Sequence, residues 1–280
     1  MPAAVLKSSQ ATSRLAGPLQ PPSLTSRPPT TELRERSRAF TLIELLVVMG
    51  IIAILLVLMA PAFTTLKSAG DVTSAANTIK GVLDQARTYA MANNTYSWVG
   101  FYEEDVSTPS TNPATPGTGR IVVSIVASKD GTMIYTGNLS SSVILDPPTS
   151  TALIQVGKLA KIDNVHLKTF PTPPPTSTPP PDTFDTRPAV SSTAQIGDST
   201  PPNPSLTFHY PVGSSSPQYT FVKAVQFSPR GEAVIDNSNY TSTPVSEIGI
   251  QPTHGVTLSL TNNSAIQLTG MSGDVKIYRQ

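Results

Sequence analysis

The chain has 280 residues, of which 28 are proline, 13% are charged and none is cysteine, and its formal net charge is +1. The lack of cysteine excludes a disulfide framework and a thiolate zinc site, so a folded domain must be stabilised by packing alone. The balanced charge argues against a general nucleic-acid-binding protein, which would carry a broad basic surface.

Residues 1–39 have the composition of a segment that cannot bury a core. They hold six prolines, six basic residues and two acidic residues, a net charge of +4 that leaves −3 for the rest of the chain. A basic segment just before an apolar run stays on the cytoplasmic side of a membrane and sends the C-terminal part outward. Its arginines also fit nucleic acid or acidic lipid as a partner, and a solvated leader is the simpler interpretation.

Residues 40–63 form the most apolar stretch of the sequence. Glu44 is the only ionisable residue in it, and the sixteen residues between Glu44 and Pro61 carry no charge. A helix of twenty-four residues is about 36 Å long at roughly 1.5 Å per residue, enough to cross a hydrocarbon core of about 30 Å. We therefore predict a transmembrane helix over 40–63.

The position of Glu44 indicates a function for this helix. A carboxylate in a membrane helix is costly, so it is usually retained for a partner. Cleavage between Ala39 and Phe40 would create an α-amino group on Phe40, at the same depth as the Glu44 carboxylate. These opposite charges could then pair between neighbouring copies of the helix.

The run Ala-Phe-Thr-Leu-Ile-Glu-Leu-Leu-Val-Val-Met-Gly, which begins at Ala39, resembles the N-terminal signature of type IV prepilins and type II secretion pseudopilins. In that family a prepilin peptidase cuts before the Phe and methylates the new terminus, and the fifth mature residue is a Glu used in filament assembly. The resemblance implies cleavage between Ala39 and Phe40 and N-methylation of Phe40. It also implies an assembly role for Glu44 and a helix kink at Pro61. The residue before the cut is usually Gly, and Ala39 departs from that pattern.

The same resemblance implies a fold and a function. The fold is the α+β pilin-like lollipop, in which a long N-terminal helix packs on an antiparallel β-sheet domain. The function is that of a minor pseudopilin or pilin-like structural subunit, with no enzymatic activity and no cofactor. Such a subunit is anchored in the inner membrane by a single pass, with its C-terminal domain periplasmic or extracellular. It then assembles with other pilins or pseudopilins into a type II secretion pseudopilus or a type IV pilus-like filament.

Two other interpretations of the N terminus stay open. Three arginines precede the apolar run and Ala60-Pro61-Ala62 ends it, which also fits a secretory signal cleaved before Phe63. The third interpretation is an uncleaved membrane anchor. Under either of these, the chain would be a membrane-anchored or secreted β-rich binding domain that does not polymerise.

Beyond Pro61, apolar residues recur at steps of three or four, the period of an amphipathic helix. The stripe consists of Leu66, Val72, Ala76, Ile79, Leu83, Ala86 and Ala90. We assign 64–95 to this segment and expect the helix to end near Ala92, because Asn93 and Asn94 supply a stop signal. Gly70 and Gly81 each weaken it by about 1 kcal/mol.

Two further stretches resemble GspH/FimT-type minor pseudopilins. Residues 79–93 hold an Ala-Arg-x-x-Ala pattern around Arg87, and residues 225–236 have a strand, a turn at Gly231 and a second strand. The long leader, the proline-rich loops and the lack of cysteine also resemble the pseudopilin-like D protein of the Verru_Chthon gene cassette. Arg87 itself is expected to be a solvated or domain-facing helix residue.

From Tyr96 onward the apolar period changes to two, which predicts a β-rich domain over 96–280 with one sheet face on the helix. Strands are predicted at 96–102, 121–128, 132–135, 143–145, 153–156, 256–261, 266–268 and 275–277. Residues 168–204 hold eleven prolines, which lack the N–H that a sheet ladder needs. We expect 168–204 to be an extended or disordered loop.

The sequence contains no recognisable catalytic or metal-binding constellation. His166, His209 and His254 are far apart and are expected to be surface or strand residues rather than ligands. Glu103-Glu104-Asp105 is expected to be a solvated strand end, with a calcium site as the alternative. Trp98 is expected to be in the core or at the domain edge.

The C-terminal run 273–280 is the remaining candidate for nucleic-acid binding. Its basic residues are Lys276 and Arg279, and two phosphate contacts would give only weak, salt-sensitive binding. The sequence therefore does not favour nucleic acid as a partner. An exported enzyme is a third class of function, for which no cluster of polar residues gives a signal.

Overall fold

The first element in the computed structural model is a helix, α1 (Leu42–Ala92). The structure describes residues 40–131, 152–173, 183–199, 207–235 and 244–280. The leader over 1–39, including Ala39, and the predicted strands at 132–135 and 143–145 lie outside these residues. The chain divides into two units, Met1–Ile52 and Ala53–Gln280, and α1 contributes residues to both.

The strands of the described residues lie in the second unit. They are β1 (Ser97–Asp105), β2 (Gly119–Ser128), β3 (Leu153–Asp163), β4 (Val165–Leu167), β5 (Gln195–Ile196), β6 (Phe208–Tyr210), β7 (Tyr219–Phe221), β8 (Lys223–Phe227), β9 (Ala233–Val234), β10 (Val245–His254), β11 (Thr257–Leu258), β12 (Ser264–Thr269) and β13 (Val275–Arg279). Short 3-10 helices span Phe184–Thr186 and Ser192–Ala194.

These strands form two main sheets. Sheet A has the order β3-β2-β1-β8-β9, and sheet B has the order β11-β10-β12-β13, with β4 and β5 also pairing with β10. All pairs are antiparallel except β5 with β10. The hairpin β6-β7 is separate. The prediction of an α+β chain with antiparallel sheets is confirmed.

The α1 segment within the second unit packs on both main sheets through the apolar stripe read from the sequence. Val72, Ala76, Ile79, Leu83, Ala86 and Ala90 are all buried. They share one core with residues of sheet A, such as Val99 and Phe101, and of sheet B, such as Ile248 and Ile266. Steps of three and four place these side chains on one helix face, which explains why a single helix can pack against both sheets. The helix ends at Ala92, and Asn94 adopts a positive φ of 49° just beyond it.

A second core lies on the other face of sheet A. The β6-β7 hairpin covers this face with Phe208 and Phe221, whose rings stack at 5.0 Å. Trp98 is fully buried there, and its indole N–H donates to the Gln226 side chain at 3.1 Å. Alternation along β1 thus directs Trp98 to one core and its neighbour Val99 to the other.

The C-terminal strands differ from the prediction in two places. Residues 256–261 were predicted as a strand, but β11 covers only Thr257–Leu258, and the apolar residues Val256, Leu258 and Leu260 are exposed. The long central strand β10 was not predicted. Gly249 and Pro252 interrupt the period-two pattern of β10, although both are accommodated within sheet B.

The predicted loop over 168–204 is more ordered than its proline content suggests, within the part described. Residues 168–173 and 183–199 pack against sheet B, and β5 adds a parallel pair to β10. The expectation that this stretch stays outside the sheets is therefore wrong for β5. The reason is local, because residues 189–200 contain no proline and both residues of β5 are buried.

Candidate processing and assembly site

The residues just before α1 form a hydrogen-bonded helix start. The Thr41 backbone N–H and hydroxyl both donate to Glu44 Oε2 at 2.9 Å, and the Glu44 N–H donates to the Thr41 hydroxyl at 3.2 Å. This Thr-x-x-Glu pattern is a capping box, in which each side chain satisfies a backbone donor of the other residue. Glu44 therefore has a structural role within one copy of the chain, which the sequence analysis did not consider.

The N-terminal part of α1 presents apolar side chains that none of the other described residues covers. Phe40 precedes the helix and is 81% exposed, and the large apolar residues described from Leu42 to Met59 are all exposed. A helix with apolar side chains all round its surface is stable only when lipid or protein surrounds it. Among the residues described, no helix is both long enough and apolar enough to cross a membrane.

Pro61 lies within α1. Glu44 lies in the first turn of the same helix, and Phe40 precedes its first residue. Ala39, on the other side of the predicted cleavage point, lies outside the described residues. Cleavage, methylation, assembly and kinking at these four positions therefore stay predictions.

The end of β1 carries a charged network where sheets A and B meet. The His166 ring contacts the Glu103 carboxylate through Nδ1, and its Nε2 lies 3.9 Å from Asp198. Lys168 Nζ donates to Asp198 at 2.6 Å. Partial burial acts to raise the pKa of Asp198, but hydrogen bonds from Lys168 and from two backbone N–H groups outweigh it and lower that pKa. His166 is thus a buried residue of β4 that lies between the two sheets.

Lys223 adds a second lysine to this charged network. Its ammonium group donates to the Gly197 carbonyl, and burial lowers its pKa. The network thus joins β1 and β8 of sheet A to the segments that flank β4 and β5 of sheet B. Lys168 and Asp198 form an ion pair, and His166 and Lys223 each contact an oxygen acceptor from another segment, so the network links these segments.

Glu104 contradicts the prediction of a solvated strand end. Its side chain is 1% exposed and accepts hydrogen bonds from Ser110, from Tyr219 at 3.4 Å and from Arg120 at 3.3 Å. Burial, together with the Glu104 and Tyr219 charges, raises the pKa of the neighbouring Tyr102. Period two places Glu104 on the same face as Trp98, and that signal in the sequence could have identified it as buried.

Arg187 and Glu247 form a third buried cluster, which the sequence analysis missed. Arg187 Nε donates to Glu247 at 2.7 Å, and both side chains are 3% exposed. The guanidinium also donates to the Phe184 carbonyl at 2.6 Å and lies 4.3 Å from the Phe184 ring centroid. Because the two charges are sixty residues apart, in a proline-rich loop and an unpredicted strand, no short motif could have revealed them.

The described residues contain no group of three or more His, Asp or Glu side chains that could hold a metal ion. The acidic side chains at 103 and 104 are instead engaged by His166 and Arg120. The calcium alternative for this run therefore gains no support from the geometry.

The two stretches that resemble GspH/FimT proteins meet in the fold. Arg87 forms an ion pair with Asp274 at 3.1 Å and lies against the turns at Gly231 and Gly273. Met91, one helical turn later, also lies against Gly231. Arg87 is thus a domain-facing residue, in agreement with its expected position.

The comparisons with known proteins agree with the N-terminal resemblance. Residues 34–60 match the family model of the prokaryotic N-terminal methylation motif. No curated protein matches the chain, and no solved structure matches it. The resemblance to prepilins is therefore confirmed for the N-terminal segment. Residues 34–60 thus carry the methylation motif that is typical of type IV prepilin-like proteins, the kind of segment that a prepilin peptidase processes.

Proposed function

We propose that this chain is a minor pseudopilin or pilin-like structural subunit that is cleaved between Ala39 and Phe40, methylated on Phe40 and assembled into a filament. The observation that carries the proposal is the methylation motif at 34–60, which coincides with an apolar helix surface that the other described residues leave exposed. Lipid would cover this surface before assembly, and neighbouring helices would cover it in the filament.

The free energies of apolar burial and of one ion pair indicate different roles for these two interactions in the filament. Burial of one large apolar side chain contributes roughly 1.5–3 kcal/mol, and the exposed apolar residues of 40–59 are numerous. One ion pair between Glu44 and a neighbouring Phe40 amine contributes less free energy than the burial of all these apolar side chains together. Apolar burial would therefore supply the cohesion of the filament, while the charge pair would favour one axial register among similar ones.

The proposed setting is the inner membrane, crossed once, with the basic leader cytoplasmic and the β-sheet unit on the periplasmic or extracellular side. The proposed partners are a prepilin peptidase and other pilins or pseudopilins, in a type II secretion or type IV pilus-like apparatus. The contact of Arg87 and Met91 with the Gly231 turn supports a GspH/FimT-type subunit, because it joins the two stretches that carry that resemblance.

Substitutions at Glu44 test the assembly role against the capping role. Glu44→Gln keeps a side chain that can complete the capping box but removes the charge, whereas Thr41→Ala removes the cap and keeps the charge. We expect Glu44→Gln and Glu44→Ala to insert in the membrane normally yet to be depleted about tenfold or more from sheared filaments, the effect of losing about 1.4 kcal/mol at each contact.

Thr41→Ala is the matched control and should assemble at nearly the normal level. Recovery of Glu44→Gln in filaments at the normal level, with Thr41→Ala depleted, would show that Glu44 serves the helix start rather than a contact between copies. The assembly role of Glu44 would then have to be abandoned.

A further inference from the structure

The hairpin of β10 and β11 exposes apolar side chains far from α1 in sequence. Val256, Leu258 and Leu260 are 50%, 42% and 82% exposed. Outside 40–59, the other exposed large apolar residues among those described are Met91 and Met271. Three such residues within five positions form the densest exposed apolar group of the described β-sheet unit.

The hairpin is held firmly despite this exposure. Gly255 has a φ of +61° at the first position of its two-residue turn, which suits a tight hairpin. The Ser259 N–H donates to the Pro252 carbonyl at 2.9 Å, and the Gln251 side chain donates to the Ser259 carbonyl at 2.6 Å. The apolar group is therefore presented on an ordered backbone.

The backbone of Leu258 faces away from β10. In an antiparallel ladder, residues that point their N–H and C=O groups at the neighbouring strand alternate with residues that point them outward. Ser259 bonds to β10 and Leu258 is opposite Thr253, so the Leu258 N–H and C=O lie on the outer edge. No described strand pairs with this edge, which can therefore accept one more strand.

The edge also lacks the residues that normally prevent such pairing. Residues 255–263 contain neither a charge nor a proline. In contrast, the edge strands β3 and β13 carry Lys158 with Lys161 and Lys276 with Arg279, respectively. Lysine, other charges and proline are common means by which proteins block edge-to-edge association, and β11 has none of them.

We propose that β11 pairs antiparallel with β11 of a second copy of this chain, about a two-fold axis at Leu258. In this register, the two Leu258 residues exchange both outward backbone hydrogen bonds. Val256 then lies opposite Leu260 of the second copy, so every exposed apolar side chain of the hairpin meets another. A strand that matches itself in this way is the basis of an isologous contact.

The contact is too small to hold two free copies together. Three side chains per copy bury far less than the roughly 800 Å² per partner of a stable interface. Two copies anchored in one membrane have a much higher effective concentration, which favours such a weak contact. The inference rests on the proposed function for this anchoring, and it does not require assembly through Glu44.

Cysteine chemistry tests the pairing in the full-length chain, because the chain has no cysteine of its own. Thr257→Cys is introduced into two differently tagged copies, which are expressed together with a prepilin peptidase and treated in membranes with a short bismaleimide. We expect a covalent dimer that contains both tags. Adding Leu258→Pro removes the outward N–H without removing a bond to β10, so dimer yield should fall about tenfold, as expected for two lost backbone hydrogen bonds.

Lys158→Cys, on the exposed edge strand β3, is the matched control and should be labelled without forming the dimer. The proposal is overturned if Thr257→Cys crosslinks to a different protein, if Lys158→Cys gives as much dimer, or if Leu258→Pro has no effect while thermal unfolding shows an intact fold. Absence of dimer from a chain that begins at Phe40 and enters filaments overturns the pairing alone. A mature start at Phe63 overturns the proposed function instead.

Discussion

Arg187 and Glu247 show how single residues stabilise the proline-rich part of this chain. The pair is almost fully buried, and Gln267 also donates to Glu247 at 2.8 Å. The net benefit of a buried ion pair is small because desolvation opposes attraction, but loss of one member leaves an uncompensated charge. The pair therefore fixes the position of residues 183–199 more than it adds to the free energy of unfolding.

Arg187→Ala should lower the free energy of unfolding by about 3–5 kcal/mol, since it leaves the Glu247 carboxylate buried without its cation. The double variant Arg187→Met with Glu247→Leu should lose clearly less than Arg187→Ala alone. Denaturant unfolding of the full chain in detergent measures both. Equal losses for the two variants would mean that side-chain packing, not charge, accounts for the effect.

Residue-scale features were predictable only where a periodic pattern included them. The alternation along β1 predicted that Trp98 lies in the core or at the domain edge, and Trp98 is in the core; the same alternation places Glu104 in the interior. We expected Glu104 to be solvated because its charge suggests the surface. The cation and hydroxyl groups that satisfy it come from β2, from β7 and from the loop at Ser110, and their approach cannot be read from β1 alone.

At the scale of elements, the approach of β10 to the segment after β4 depends on the absence of a side chain at Gly249. A Cβ atom there would lie 1.9 Å from the Lys168 carbonyl oxygen and 2.8 Å from the Phe170 ring. Both neighbours belong to the stretch that leads from β4 into the proline-rich segment. Gly249 therefore permits close packing between two backbones.

Gly249→Ala should lower the free energy of unfolding by about 1–3 kcal/mol or more, because the backbone must shift to relieve the overlap. Gly81→Ala is the matched control, since no atom apart from the local helix backbone lies within 4 Å of its added Cβ and the site is helical. It should raise the free energy of unfolding by about 0.5–1 kcal/mol. Denaturant unfolding in detergent gives both values, and a loss at Gly81 similar to that at Gly249 would contradict this explanation.

Helix α1 and strand β10 show which elements could be predicted from the sequence and which could not. The stripe from Val72 to Ala90 predicted the buried helix face because every contact lies on one periodic surface. Strand β10 escaped prediction because Gly249 and Pro252 weaken a local pattern that the neighbouring strands support. The reverse error at 256–261 arose because Val256, Leu258 and Leu260 alternate perfectly and yet are exposed.

For the whole molecule, the sequence was most informative at its N terminus. The methylation motif is a short contiguous segment, so residues 34–60 suffice to reveal it without any knowledge of the fold. The division of the strands into two sheets depends on pairings between distant segments, such as β1 with β8 and β4 with β10. Such pairings leave no mark in a single sequence, and only their antiparallel character was predicted.

The central claim concerns where the mature chain begins, and mass spectrometry of the N-terminal peptide tests it directly. The full chain is recovered from membranes of a host that contains a prepilin peptidase. We predict a first residue of N-methylated Phe40, with Ala39 and the leader removed. A chain that begins at Phe63, or one that keeps its leader, would contradict the account and leave an exported or anchored β-sheet protein.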